Sequence, residues 1–336
     1  MAFFSKLLDA LVGVKPMKET TSDQLAKGSR KNITYQDPWL TIHEPYFHGH
    51  GNYSPNQRWI VGFRDSDGVS TGGMRENGNG AVVLVDIQKE QVLHAQGHFA
   101  RPVAALVSDT GNYILHDSGF GVGLKGDLIA CNIAGKETYR RHFEANIISI
   151  GLSQNGRYAV TQTANAPNSI DGNLLELVDL EHKAVLFSEN PISGWANTYA
   201  FEIDASGVIK KLYVDLQMGR FAYSSAGEFL DKKDYLNARL TKGDFTSKLF
   251  AAQELLQLDS TEEGAQKALC AADEALVDQT CDHPHWRAIA YRVRGECFEL
   301  LGQPAQALVS YEHALNLNPK VGVKKRMTSL RKSSSQ

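Results

Sequence analysis

Histidine is the residue type whose spacing first suggests chemistry in this chain. "HEPYFHGHGNY" places His43, His48 and His50 close together. Imidazoles two apart on an extended strand point the same way, as metal ligation needs, and Glu44 offers an oxygen. No group that would orient those imidazoles is evident, so no resident metal is expected. "CDHPHW", with Cys281, His283 and His285, is a similar knot that leads into a helix. "DSDG", starting at Asp65, opens like a calcium loop but lacks the later acidic ligands. "GFGVGLKGD" carries Gly121, Gly123 and Gly126 at the spacing of a dinucleotide fingerprint. That fingerprint needs a helix behind it to aim amides at a pyrophosphate, and the strand-like "DLIACNI" follows instead. There is no P-loop and no Gly-x-Ser-x-Gly, and the carboxylates are scattered. No catalytic residue and no cofactor are assigned, and the chain reads as a non-enzyme.

The elements that hold such residues follow from composition and period. The 336 residues suffice for two cored domains. The 35 basic and 38 acidic residues give a formal charge of -3, which argues against nucleic acid or anionic membrane as a partner. Cys131, Cys270, Cys281 and Cys297 form no Cys-x-x-Cys pair and read as free thiols of a reducing compartment. No run is long enough and apolar enough for a membrane span. Phe3, Phe4, Leu7, Leu8, Leu11 and Val12 predict one amphipathic helix over 2–14, stopped by Pro16 and followed by a polar linker to residue 32. Lys6, Asp9 and Lys15 interrupt its apolar run and no cleavage site follows, so a cytoplasmic protein is expected. Membrane contact through that helix is not expected.

Residues 33–240 read as all β. "RWIVGF", "AVVLVDI", "VAALVS", "NYILHDS", "IISIGLS", "RYAVTQT", "LLELVDL" and "KLYVDL" are strand candidates between turns such as Asn155-Gly156 and Ser206-Gly207. The region also repeats. "SPNQRWIVGF", "SDTGNYILHDS", "SQNGRYAVTQT" and "DASGVIKKLYVD" begin at 54, 108, 153 and 204, and each is a polar turn feeding a strand. After each comes a strand–turn–strand cue: "VVLVDIQKEQVLHA", "LIACNIAGKETYRR", "LLELVDLEHKAVLF" and the weaker "GRFAYSSAGEFLD". Such spacing suits four-stranded propeller blades, about four of them.

The run from Val82 to Ser118 resembles a WD-repeat blade passing into the next. Val85-Asp86 sits where that family has Trp-Asp, Gly97-His98 matches its Gly-His pair, and Ser108 to Gly111 matches its Ser-Pro-Asp-Gly turn. The chain has no Trp-Asp, and the third blade has Val178-Asp179 without Gly-His. The resemblance covers about three-fifths of the chain and implies a propeller-like domain. The family's His–Asp hydrogen bond is then expected in one blade at most. Four units leave strand edges to protect. A four-bladed ring is the first expectation, completion of the last blade by "KNITYQDPWLTIHE" the second, and cover by a partner the third.

Residues 241–336 are predicted helical. "TSKLFAAQELLQL", "TEEGAQKALCAADEALVD", "HWRAIAYRVRGECFELLG" and "PAQALVSYEHALNL" carry apolar residues at helical spacing. Tyr291, Gly295 and Phe298, then Gly302, then Ala307, Tyr311 and Ala314, then Pro319 closely resemble a tetratricopeptide repeat. Small residues at 295 and 307 allow two antiparallel helices to cross closely, Ala314 admits the next helix, and Tyr291, Phe298 and Tyr311 fill the seams. Gly302 supplies a left-handed helix end, and Pro319 cannot extend a helix. Ala268, Ala272 and Ala275 mark a degenerate upstream copy, and "KVGVKKRMTSLRK" reads as a capping helix with a basic, solvated outer face.

The resemblance implies a groove of first helices faced by Arg292, Glu296 and Glu299. The family's Lys/Asn clamp on a peptide carboxylate is not reproduced, since Val293 and Glu296 cannot serve in it. The expected function is therefore protein–protein interaction: a scaffold with a β-propeller surface and a short repeat module, its partner a protein. An enzyme or ligand-sensing propeller with a site at a central opening, His43, His48, His50 and Asp65 foremost, is the alternative. A homo-oligomer pairing its open edges is a third.

Overall fold

The computed structural model describes residues 32–65, 79–121, 123, 125–278 and 283–333. The helix expected at 2–14, most of the "DSDG" loop and Cys281 lie outside them. The strands form four antiparallel sheets taken in chain order. Sheet one is β1 (Ile33–Gln36), β2 (Trp39–Ile42), β3 (Phe47–Tyr53), β4 (Trp59–Arg64), β5 (Gly80–Asp86) and β6 (Gln91–Phe99). Sheet two is β7 (Pro102–Val107), β8 (Tyr113–Asp117), β9 (Gly126–Cys131) and β10 (Glu137–Phe143). Sheet three is β11 (Ile147–Leu152), β12 (Tyr158–Thr163), β13 (Leu175–Asp179) and β14 (Ala184–Glu189). Sheet four holds β15 (Thr198–Ile203), β16 (Ile209–Leu216) and β17 (Gly219–Ser224).

The strands β4, β8 and β12 are buried on both faces, so none of them alternates; β8 and β12 bury polar residues as well, His116 and Asp117 in one and Thr161, Gln162 and Thr163 in the other. The first strands, β7, β11 and β15, pack beside one another, and β7 packs beside β3 and β4. This is the propeller plan, in which each sheet's inner strand faces a common axis. One core lies between sheets one and two, including Trp59, Leu84 and Leu115. A second, including Ile114, Phe143 and Ala159, joins sheets two and three. A third, including Val160, Leu212 and Phe221, joins three and four.

Among the described residues no core cluster joins sheet four to sheet one. The interfaces describe an arc, and each end has its own cover. At the start, sheet one curls so that Leu40 and Ile42 of β2 bury fully with Ile60, Val83 and Val85. Gly62 permits this, because a Cβ there would stand 2.6 Å from Leu40 Cδ2 and 2.8 Å from Phe47 Cε1. Each fully buried aliphatic contributes about 1.5–3 kcal/mol, which holds the hairpin down. The sequence expectation that "KNITYQDPWLTIHE" completes the last blade is thus corrected: β2 pairs with β3 of the first sheet. At the far end β17 has no full fourth strand. Tyr223 bridges Phe229, Leu230 N–H donates to Ala222 O at 2.9 Å, and Asp231 Oδ2 accepts the Ala222 N–H at 2.8 Å. That short return blunts the edge.

The chain then enters α1 (Lys232–Lys242), inside the stretch read as purely β. Its Tyr235 packs edge-on to Phe221 and Phe229, and its hydroxyl donates to Ser193 O at 3.0 Å. Helices α2 (Phe245–Leu258), α3 (Glu262–Val277), α4 (Pro284–Leu300), α5 (Pro304–Leu317) and α6 (Lys324–Ser333) follow as stacked hairpins. Asp244 and Thr261 cap α2 and α3 through their side chains. The protein is a β domain followed by an α domain of stacked helical hairpins.

The described side chains show a further kind of polar bracing inside the blades. The His98 side chain lies outside the description, and the brace is Arg–Asp in two blades. Arg58 Nη2 donates to Asp86 Oδ2 at 3.2 Å, with the guanidinium 4.3 Å over the Trp59 ring. Arg157 Nε and Nη2 donate to Asp179 Oδ2 at 3.1 and 2.8 Å, over Tyr158. Ser54 and Ser153 Oγ accept the N–H of the following Trp59 and Tyr158, at 3.0 and 2.8 Å. The rim turns also bind one another: Asp109 Oδ1 accepts the Asn56 N–H at 2.7 Å, and its Oδ2 accepts from Gln154 Nε2 at 2.5 Å.

Candidate functional site

Arg292, Glu296 and Glu299 recur at i, i+4 and i+7, so one face of α4 carries all three. That face looks across a recess of about 440 Å³ toward Gln253, Leu256 and Gln257 of α2, the first helix of the preceding hairpin. Around the rest of α4, Val293 and Cys297 are buried in the helical core, and Gly295 is buried on the side facing α5. A Cβ on Gly295 would stand 2.3 Å from Tyr311 Cε1, so only glycine lets α5 lie this close. Ala307, Tyr311 and Ala314 on α5 are fully buried. Phe298 is buried as well, and the Tyr291 ring stacks on His313. Gly302 has φ +67 and follows the end of α4, while Pro319 stands just beyond α5.

The groove's electrostatics also involve a residue of the basic C-terminal helix. Arg326 of α6 reaches in, with Nη1 3.2 Å from Glu299 Oε2 and Nη2 3.8 Å from Glu296 Oε1. Arg292 Nε lies 3.6 Å from Glu296 Oε1, too long for a hydrogen bond, and no other group accepts from it. The Tyr311 hydroxyl donates to Glu299 Oε1. Two acids thus sit between two arginines and a phenol. Burial raises the Glu296 carboxyl above its ordinary range, and Arg292 and Arg326 oppose that without overcoming it. Burial, then the Glu299 hydrogen bond, raises the Tyr311 phenol. The signal for Arg326 was its place one residue before buried Met327, which turns it along the edge of the packed face.

The other sequence candidates are dispersed. On β3, His48 stacks on Trp39 at a ring separation of 5.2 Å and His50 lies tilted against it at 4.5 Å, and His48 Nδ1 is 2.9 Å from Thr41 Oγ1. His43 sits past the end of β2, and the three imidazoles do not converge as a ligand group. Asp65 is buried at the end of β4. His283 caps α4, accepting from the His285 N–H. Gly121 and Gly123 lie in the β8–β9 connection, and Gly126 begins a strand, not a helix. Asp179, Glu181 and His182 do converge, but Arg157 already occupies Asp179.

No protein-family model and no curated protein matches the chain. Solved structures with similar strand arrangements include the β-propeller domain of Myceliophteria thermophila Cps50 (Swd1). It shows 13% identity and a TM-score of 0.33 over 62% of this chain and 68% of that one. A chain of a mitotic checkpoint complex gives 11% and 0.36 over 56% and 57%, and the computationally designed Ika4 protein 13% and 0.32 over 50% and 85%. The blade assignment rests on the strand pairing itself. Among the described residues no helix is long and apolar enough to cross a membrane. Cys131, Cys270 and Cys297 are free thiols.

Proposed function

We propose that this chain is a non-enzymatic interaction scaffold that holds a segment of a partner protein in the groove of its helical module. The carrying observation is the recess between α2 and α4, the first helices of successive hairpins, edged by Arg292, Glu296, Glu299 and Arg326. We read α2–α3 and α4–α5 as two tetratricopeptide-type repeats with α6 as their cap; the Gly295–Tyr311 approach and the left-handed Gly302 support that. A preformed groove binds an extended or helical segment with little ordering cost of its own. The β arc, joined to the module through α1, supplies a second rigid surface. Free thiols in both domains fit a cytoplasmic location.

The test is quantitative capture of partners by the full chain and by Gln257→Trp, which plugs the recess from an exposed position. A stoichiometric partner retained by the wild type and lost by the variant is the expected result. Equal recovery by both would remove the groove from the account.

A further inference from the structure

We propose that the recess between sheets two and three is a second binding site, one that takes a ligand carrying an oxyanion, phosphate or carboxylate. At about 740 Å³ it is larger than the helical groove and within the range of small-molecule sites. Its inner wall is apolar, with Ala130, Leu152 and Leu180.

The ligand class follows from the hydrogen-bonding groups left at the mouth. Asn112, Asn132 and Asn155 all line the recess, and in each the side-chain oxygen is already committed. Asn112 Oδ1 accepts the Ile133 N–H at 3.2 Å, and Asn132 Oδ1 accepts those of Ala134 and Lys136, both at 3.0 Å. Asn155 Oδ1 accepts from Ser153 Oγ at 2.7 Å and the Arg157 N–H at 3.1 Å. Tying back every oxygen fixes each amide so that its NH₂ donors are the free groups. Lys136 and Lys183, on turns from the two sheets, add ammonium groups that have no ionic partner among the described residues. The acids of the lining are each paired with an arginine: Glu137 with Arg140 at 2.7 Å, and Glu181 with Arg157, itself part of the lining, at 3.2 Å. What the recess offers is three amide donors and two cations with no matching acceptor, which an oxyanion supplies.

Blade two earns this by departing from its neighbours. Blades one and three carry Arg58–Asp86 and Arg157–Asp179, each Asp paired with Trp59 or Tyr158; blade two has Asn112 and, paired with Tyr113, Cys131, with Asn132 next to it. The brace that fills the corresponding space elsewhere is missing here.

The full chain is titrated calorimetrically at low salt with inorganic phosphate, adenosine monophosphate and a pentaglutamate peptide. The same titrations are run on Lys136→Gln/Lys183→Gln and on a control, Lys320→Gln/Lys325→Gln, whose lysines lie in the helical tail. The expected result is 1:1 saturable binding of the nucleotide or the peptide, weakened at least tenfold in the recess variant and unchanged in the control. Nucleotide binding alone assigns a phosphorylated small molecule, and peptide binding alone an acidic segment. No saturation by any probe up to millimolar concentration, or equal loss in both variants, overturns the proposal.

Discussion

Replacing Arg157 by Met keeps the aliphatic stem and removes the guanidinium. Lost with it are the two donations to Asp179 Oδ2, at 3.1 and 2.8 Å, the 3.4 Å donation to Gly207 O, and the stacking on Tyr158. Asp179 is 5% exposed, so its charge stays buried. Stripping one partner from a buried pair costs about 3–5 kcal/mol. Asp179 keeps the Glu181 and His182 N–H groups, at 3.0 and 3.2 Å, and His182 Nδ1 at 2.9 Å. The expected loss is therefore about 2–4 kcal/mol, or about 5–15 °C in melting temperature for a β domain of this size. Acid adds an independent readout. Burial raises the Asp179 carboxyl, but the Arg157 and His182 hydrogen bonds outweigh it and hold the group at about 2. A depressed carboxyl stabilises the fold above its unfolded value near 4, and that share is lost as pH falls toward 2. The gap between wild type and variant should thus shrink from pH 5 to pH 2. Urea unfolding followed by sheet circular dichroism, with Asp179→Asn and the double variant completing the cycle, measures both. A gap under about 0.5 kcal/mol at pH 7, or one that widens in acid, would refute the brace.

Two further outcomes follow from the helical module. Gly295→Ala drives a methyl to 2.3 Å from Tyr311 Cε1, and overpacking of this kind costs about 1–3 kcal/mol; an unchanged helical melt at 222 nm would contradict the close crossing. Glu296→Gln removes a carboxyl whose folded-state value is raised by burial, so the variant should be the more stable at pH 7, with the difference vanishing as acid protonates the wild-type group. Thermal melts between pH 4 and 8 check this, and a less stable variant at pH 7 would show that Arg292 and Arg326 dominate instead.

Period made much of this legible. Stretches such as "RYAVTQT" between turn dipeptides marked the strands, and the small residues Gly295 and Ala307 pointed to a close helix crossing, which the structure places at Gly295 against Tyr311. Helix α1 escaped because "KKDYLNARLTK" is mostly charged and polar, and buries only Ala238 and Leu240. The place of β1–β2 escaped for a different reason: alternation tells which side of a strand is apolar, not which strand lies next to it. The Arg–Asp brace escaped because its partners stand 28 and 22 residues apart, and only strand pairing brings them together. Arg326 and the lysines of the inter-sheet recess belong to turns and caps, whose local sequence carries no period at all.

The capped arc of the β domain has an evolutionary corollary. A closed rotor must satisfy an angular condition, so gaining or losing a unit forces every remaining one to tilt. Here, among the described residues, each sheet shares a core only with the next, and the two terminal covers are independent of how many lie between. Duplication or deletion of an interior unit such as 102–143 would meet no ring-closure barrier, and chains of this build are free to differ in blade number.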